Sequence, residues 1–230
     1  MVRGIIKRLT GKEINENIST IYLLEKGIPY LWGIFRGFFI TRLFKNKGKR
    51  VFIGKNVKIL MPSYLSVGDN VRIESNCKID ALSQDGIIIG NNSKIGEYSK
   101  IIGSGSVSHL GKGLRIGDNS YFSEYTFWGA AGGITIGNNI IAGQYVRFHS
   151  ENHNYSDMNK LIREQGVSHQ GIKVGNNCWI GAGATFLDGS EIGDGVIVAA
   201  NSVVTKKFGD DVIIAGIPAK VIKMRSRLDE

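Results

Sequence analysis

His149 and His153 stand four residues apart in a polar segment, Phe148-His149-Ser150-Glu151-Asn152-His153-Asn154-Tyr155-Ser156-Asp157. Imidazole titrates near neutrality, so either can take a proton from a hydroxyl as its oxygen attacks an electrophile. The same ring can ligate a metal, and His169 follows. Two imidazoles at this spacing converge on a helix, but an Asn/Ser-rich segment is a poor helix, and no metal is expected. Glu151, Asp157 and Glu164 offer carboxylates that orient an imidazole or bind acceptor hydroxyls, or are simply solvated loop charges. Arg147, Asn152 and Tyr155 join Glu151 as candidates for binding an acceptor. Both are candidate bases: His153 stands between two asparagines, and His149 directly follows Phe148. No Ser or Cys with an adjacent base is evident, so a covalent intermediate on the protein is not expected.

The elements around this segment are periodic. Aliphatic-Gly-x-Asn markers recur at Ile53-Gly54-Lys55-Asn56, Val67-Gly68-Asp69-Asn70, Ile89-Gly90-Asn91-Asn92, Ile116-Gly117-Asp118-Asn119, Ile136-Gly137-Asn138-Asn139 and Val174-Gly175-Asn176-Asn177, with a variant at Ile192-Gly193-Asp194-Gly195. The last two lie 18 residues apart, whereas the interval across the histidines is 38. That leaves an excess of about 20 residues, too many for an ordinary turn. Long loops on rigid scaffolds tend to carry function. Residues 149–169 are therefore read as a catalytic loop.

The fine period is six. Val174, Ile180, Phe186, Ile192, Val198 and Val204 step by it without a gap, as do Ile89, Ile95 and Ile101. Four places beyond the first five stand Cys178, Ala184, Ser190, Val196 and Ser202, all small or β-branched. Neither the helical nor the strand period predicts a hexad; a short strand plus a tight corner does, three times per turn. The expected fold is an all-β solenoid over residues 51–205, with aliphatics on the axis and coils about 4.8 Å apart. Gly and Asn mark corners that need left-handed torsions. This stretch, less the insertion, supplies roughly seven and a half coils.

Residues 1–50 lack the period. Ile18, Ile21, Tyr22 and Leu24 suggest a helix ended by Gly27 and Pro29. Tyr30, Leu31, Ile34, Phe35, Phe38, Phe39 and Leu43 then form an amphipathic pattern with Arg36 and Arg42, followed by Lys45-Asn46-Lys47-Gly48-Lys49-Arg50. This segment either caps the first coil or rests on an anionic membrane. From Lys206 the period breaks again, and 206–230 reads as a strand, a turn at Gly216–Pro218 and a basic tail.

The net charge of +9 over 230 residues favours anionic partners. No nucleic-acid motif accompanies it, so nucleic acid is not expected. Cys77 and Cys178 form no metal spacing and read as buried thiols of a reducing compartment. Met1–Arg8 has no secretory pattern. Ile28–Ile40, broken by Arg36, is too short to span a bilayer. The expected location is cytoplasmic, with peripheral contact at the inner face of the membrane.

The array resembles the hexapeptide-repeat acyltransferase superfamily, over about two-thirds of the chain. That resemblance implies a left-handed parallel β-helix, a handedness the residues themselves do not dictate. Asp211–Lys223, with Ala215-Gly216-Ile217-Pro218-Ala219, resembles the closing signature of the sugar and polysaccharide O-acetyltransferase branch. The branch implies transfer from acetyl-CoA to a sugar hydroxyl of a surface-polysaccharide precursor, with His153 as base and sites between subunits of a homotrimer. By the same resemblance Trp179, Ala182 and Ala200 border the cofactor arm, while Thr205, Lys206, Lys220 and Lys223 meet its phosphates. Relatives often carry Arg at the last two places; Lys keeps the charge and loses the bidentate fork. Trp179 reads equally as a packed or trimer-contact aromatic. Alternatives are another small acceptor (an antibiotic or serine), a zinc-dependent gamma-type carbonic anhydrase, and a non-catalytic scaffold.

Overall fold

The computed structural model describes residues 15–106 and 108–225. Met1–Arg8, read as free of a secretory signal, and the first part of the 1–50 segment lie outside these.

From Asn46 to Gly216 the chain winds in rotation through three faces of a prism. The first face has eight parallel strands, from Asn46–Lys47 to Lys207–Phe208. The second has nine, from Phe52–Ile53 to Ala219–Met224, of which only the last runs antiparallel. The third has seven, from Lys58–Leu60 to Val203–Val204. The hexad positions Val174, Ile180, Phe186, Ile192, Val198 and Val204 are all buried, and so are the small residues Cys178, Ala184, Ser190, Val196 and Ser202. Near the long loop the axis fills with aromatics: Trp128 stacks on Phe148, 6.1 Å away, and Phe148 on Phe186 at 4.9 Å. Burial pushes the Cys77 thiol up to about 12 and Cys178 up to about 11, so both are inert protonated packing groups.

The markers have a sharper rationale than torsion alone. The left-handed residue is the marker's last Asn, with φ of 54–60° at Asn56, Asn70, Asn92, Asn119, Asn139 and Asn177. The marker Gly does not have positive φ; it is Gly because the next coil is too close. A Cβ on Gly137 would lie 2.7 Å from both Asn176 Oδ1 and the Gly175 carbonyl oxygen. The residue between them builds a ladder: its side-chain oxygen accepts from the backbone N–H of the equivalent residue one coil earlier. Seven such bonds of 2.6–2.9 Å run from Lys49 through Asp69, Asn91, Asp118, Asn138, Asn176 and Asp194 to Asp210.

Three boundaries differ from the periodicity reading. The solenoid begins at Asn46, and Lys47-Gly48-Lys49-Arg50 is its first corner rather than part of a preceding tail; Ile53-Gly54-Lys55-Asn56 turns the next corner. The solenoid also outlasts residue 205, because Lys207–Phe208 and Val212–Gly216 still join the first and second faces. Finally, one helix, α1 (Thr20–Ile40), runs through Pro29 instead of ending there. Proline deletes one intrahelical bond, and packing on the first coil holds the residues that follow it. Tyr30 stacks on Phe52 at 5.6 Å, and Arg36 Nε donates to the Ile53 carbonyl at 3.0 Å.

Candidate active site

The long insertion leaves the solenoid at the corner between the third and first faces. His149 ends the strand Arg147–His149, so it still belongs to the coil, and the extruded part starts at Ser150. Inside the loop Asn152–His153 pairs antiparallel with Val167–Ser168, which gives it regular structure of its own. Both roots are pinned. Buried Ser150 donates to the Gly129 carbonyl at 2.7 Å and accepts from Gly132 N at 3.0 Å. Buried Asp188, one coil later, accepts from Gln170 N at 2.9 Å and Gly171 N at 2.7 Å.

His153 is exposed on this ribbon, in a cleft of about 460 Å³ lined by Asn152, His153, Asn154, Tyr155, Ser156 and Ser168. Thus His153, Asn152 and Tyr155 come together. Arg147 does not join them: its guanidinium reaches Thr185 Oγ1 at 3.2 Å and the Gly183 carbonyl at 3.3 Å. His149 lies over Phe127, 5.2 Å between ring centres, and desolvation followed by the Arg147 charge lowers its pKa. Glu151 has a partner, His169, whose Nε2 is 2.8 Å from its carboxylate. The pair continues the ribbon's cross-strand register at the loop neck. Sequence reading took Glu151 as a candidate orienter or acceptor ligand and gave His169 no role beyond metal binding. The residues that fasten the loop, Ser150 and Asp188, carried no signal, since each looks like an ordinary corner residue. Among the described residues no group of three or more His, Cys, Asp or Glu is placed to hold a metal.

The residues expected at the cofactor fall into two groups. Trp179 is exposed on the second face, in a row with Ile141 and Ile197. Lys223 pairs with Ile213 on that face, and Lys220 with Ala215. Ala182 and Ala200 turn the corner to the third face, where Tyr98, Tyr125 and Tyr145 stack in the earlier coils at 5.1 and 4.9 Å. Thr205 and Lys206 instead follow the last third-face strand, Val203–Val204, at the loop's own corner. In a three-sided prism the corner between the third and first faces lies across the axis from the second face. One chain therefore places His153 opposite Trp179 and Lys223, and Lys206 away from Lys220 and Lys223.

Two stretches match hexapeptide families: "Bacterial transferase hexapeptide (six repeats)" over residues 171–206, and "Hexapeptide repeat of succinyl-transferase" over 64–96. With the continuous coils these make the chain similar to the hexapeptide-repeat acyltransferases. The Escherichia coli K12 protein named "Putative lipopolysaccharide biosynthesis O-acetyl transferase WbbJ" is 31% identical over 50% of this chain and 62% of its own. The dTDP-4-amino-4,6-dideoxy-D-glucose acyltransferase of Escherichia coli is 27% identical over 80% of this chain and 84% of its own. The chain spans 52–62% of the length of the curated relatives matched at 30% identity or more. Among solved structures, AntD, an N-acyltransferase from Bacillus cereus in complex with dTDP and 3-hydroxybutyryl-CoA, superposes with a TM-score of 0.54 at 24% identity, covering 81% of this chain and 86% of that one. The superposition places the hexapeptide solenoid among left-handed parallel β-helices.

Proposed function

We propose that this protein is a hexapeptide-repeat acyltransferase, and specifically an acetyl-CoA-dependent O-acetyltransferase acting on a sugar hydroxyl of a surface-polysaccharide precursor. The observation that carries the reading is the pinned loop, which holds His153 in an open cleft on a hexapeptide solenoid. Relatives support the chemistry by their names: one is an O-acetyl transferase of lipopolysaccharide biosynthesis, another an acyltransferase for an amino sugar, and AntD was solved with an acyl-CoA. In the proposed reaction the His153 imidazole takes the proton of the acceptor hydroxyl. The oxygen adds to the thioester carbonyl, and a backbone amide steadies the resulting oxyanion. Collapse breaks the C–S bond, and the imidazolium returns its proton to the departing CoA thiolate. Trp179, Ala182, Ala200, Lys220 and Lys223 share a side of the prism suited to the pantetheine arm and phosphates; Thr205 and Lys206 would serve a cofactor held against a neighbouring copy, in a homotrimer.

The test is thiol release from acetyl-CoA across a panel of sugar acceptors. His153→Ala should lower kcat by about 10²–10⁴-fold with CoA affinity nearly unchanged, and His149→Ala should cost far less. The 2.8 Å Glu151–His169 contact favours a second reading, in which His169 is the base and Glu151 its orienter. In that case His169→Asn and Glu151→Gln should carry the loss and His153→Ala should be mild.

A further inference from the structure

Helix α1 meets the solenoid with glycine and turns its large apolar side chains outward. Its buried residues are Gly33 and Gly37. A Cβ on Gly33 would collide with the Phe52 ring, and one on Gly37 with the Val51 carbonyl oxygen, so this side is cut to fit the first coil. Ile21, Leu24, Ile28, Leu31, Phe35 and Phe38, at alternating steps of three and four, are each 44–70% exposed. An amphipathic helix serving only as a cap would bury that stripe.

Charge identifies what covers it. From Lys26 to Lys58 there are nine Lys and Arg residues and no Asp or Glu. Arg42 sits at the stripe's rim, its guanidinium 4.6 Å from the Phe38 ring centre and 5.3 Å from that of Phe39. Pairing this surface with its own copy would bring two such basic stretches together, whereas an anionic headgroup layer supplies the opposite charge. Among the described residues no helix is long and apolar enough to cross a membrane, so the segment would lie on a bilayer and not through it.

We propose that α1 and the first corner, Lys45–Arg50, form a docking surface for an anionic phospholipid bilayer, with the stripe sunk to the headgroup–acyl boundary and the basic residues among the phosphates. The proposal is independent of the reaction assigned to the loop.

Full-length protein is sedimented with vesicles of phosphatidylglycerol and phosphatidylcholine, and with phosphatidylcholine alone. The expected result is binding to the anionic vesicles at low salt, weakened about tenfold or more at high salt by screening, with little on neutral ones. Phe35→Ser with Phe38→Ser, and separately charge reversal at Lys45, Lys47, Lys49 and Arg50, should each remove binding while circular dichroism stays that of the β-helix. Two results overturn the proposal. One is no binding to anionic vesicles at low salt. The other is a Phe35→Ser/Phe38→Ser protein that binds lipid like the parent but has a smaller mass by light scattering, which would make the stripe a contact between copies.

Discussion

At His149 the imidazole is half withdrawn from water against Phe127, and burial first, then Arg147, lowers its pKa. The fold therefore binds fewer protons at this ring than the unfolded chain, whose histidine titrates near 6.5. Stability from this group is complete above that value and declines as pH falls toward the folded pKa. His149→Gln should flatten the part of the acid destabilisation that begins just below pH 6.5, read as urea midpoints at pH 7.5 and 5.5 for both proteins. Wild-type and variant midpoints that fall in parallel would show that His149 contributes nothing to it. Four residues on, His153 stands on the loop ribbon in water. The two rings thus differ by environment, one packed on the coil and the other presented to solvent.

The loop is an element in its own right, and its precision rests on a few bonds at its roots. Asp188 receives two consecutive backbone N–H groups as the chain re-enters the first face. Asp188→Ala would leave those donors unpaired in a part-buried place, at a cost of up to about 1–3 kcal/mol. The expected outcome is a β-helix of unchanged far-ultraviolet dichroism, a loop more open to protease near Gln170, and a kcat reduced with the His153 geometry. Asp188→Asn keeps an acceptor oxygen and should lose less. If limited proteolysis of the Ala variant matches the parent, the carboxylate is not what holds the loop. The hydrogen-bonded ladder of Asn and Asp side chains along the first corner has the same logic on a larger scale: each rung joins one coil to the next.

At the scale of the molecule, the prism separates the residues that the proposed reaction would combine. His153 projects from one corner, and Trp179 and Lys223 occupy the face across the axis, so one chain does not complete the proposed site. Two inactive variants, His153→Ala and Trp179→Ala with Lys223→Glu, should regain part of the activity when unfolded together and refolded as mixed oligomers. The intact loop of one copy would then meet the intact face of another. Mixtures no more active than the separate variants, at an oligomer mass shown by light scattering to be mixed, would place the whole site within one chain.

The hexad alone determined the solenoid, because a six-residue step has few structural explanations and each predicted axial residue, from Ile89 to Val204, had to be buried. It also located the insertion, since a 38-residue interval cannot close in one coil. Periodicity was a poorer guide at the ends, where corners such as Lys47-Gly48-Lys49-Arg50 keep their backbone geometry without keeping the marker's letters. Pro29 looked like a stop because its local cost is visible in sequence, while the stacking of Tyr30 on Phe52 is not. The direction of α1 was likewise a tertiary decision: the stripe is legible as amphipathic, but only the fit of Gly33 and Gly37 against Val51 and Phe52 decides which side faces out. Glu151 and His169 became partners for the same reason. They are 18 residues apart in the chain, and only the antiparallel ribbon between them sets one side chain opposite the other.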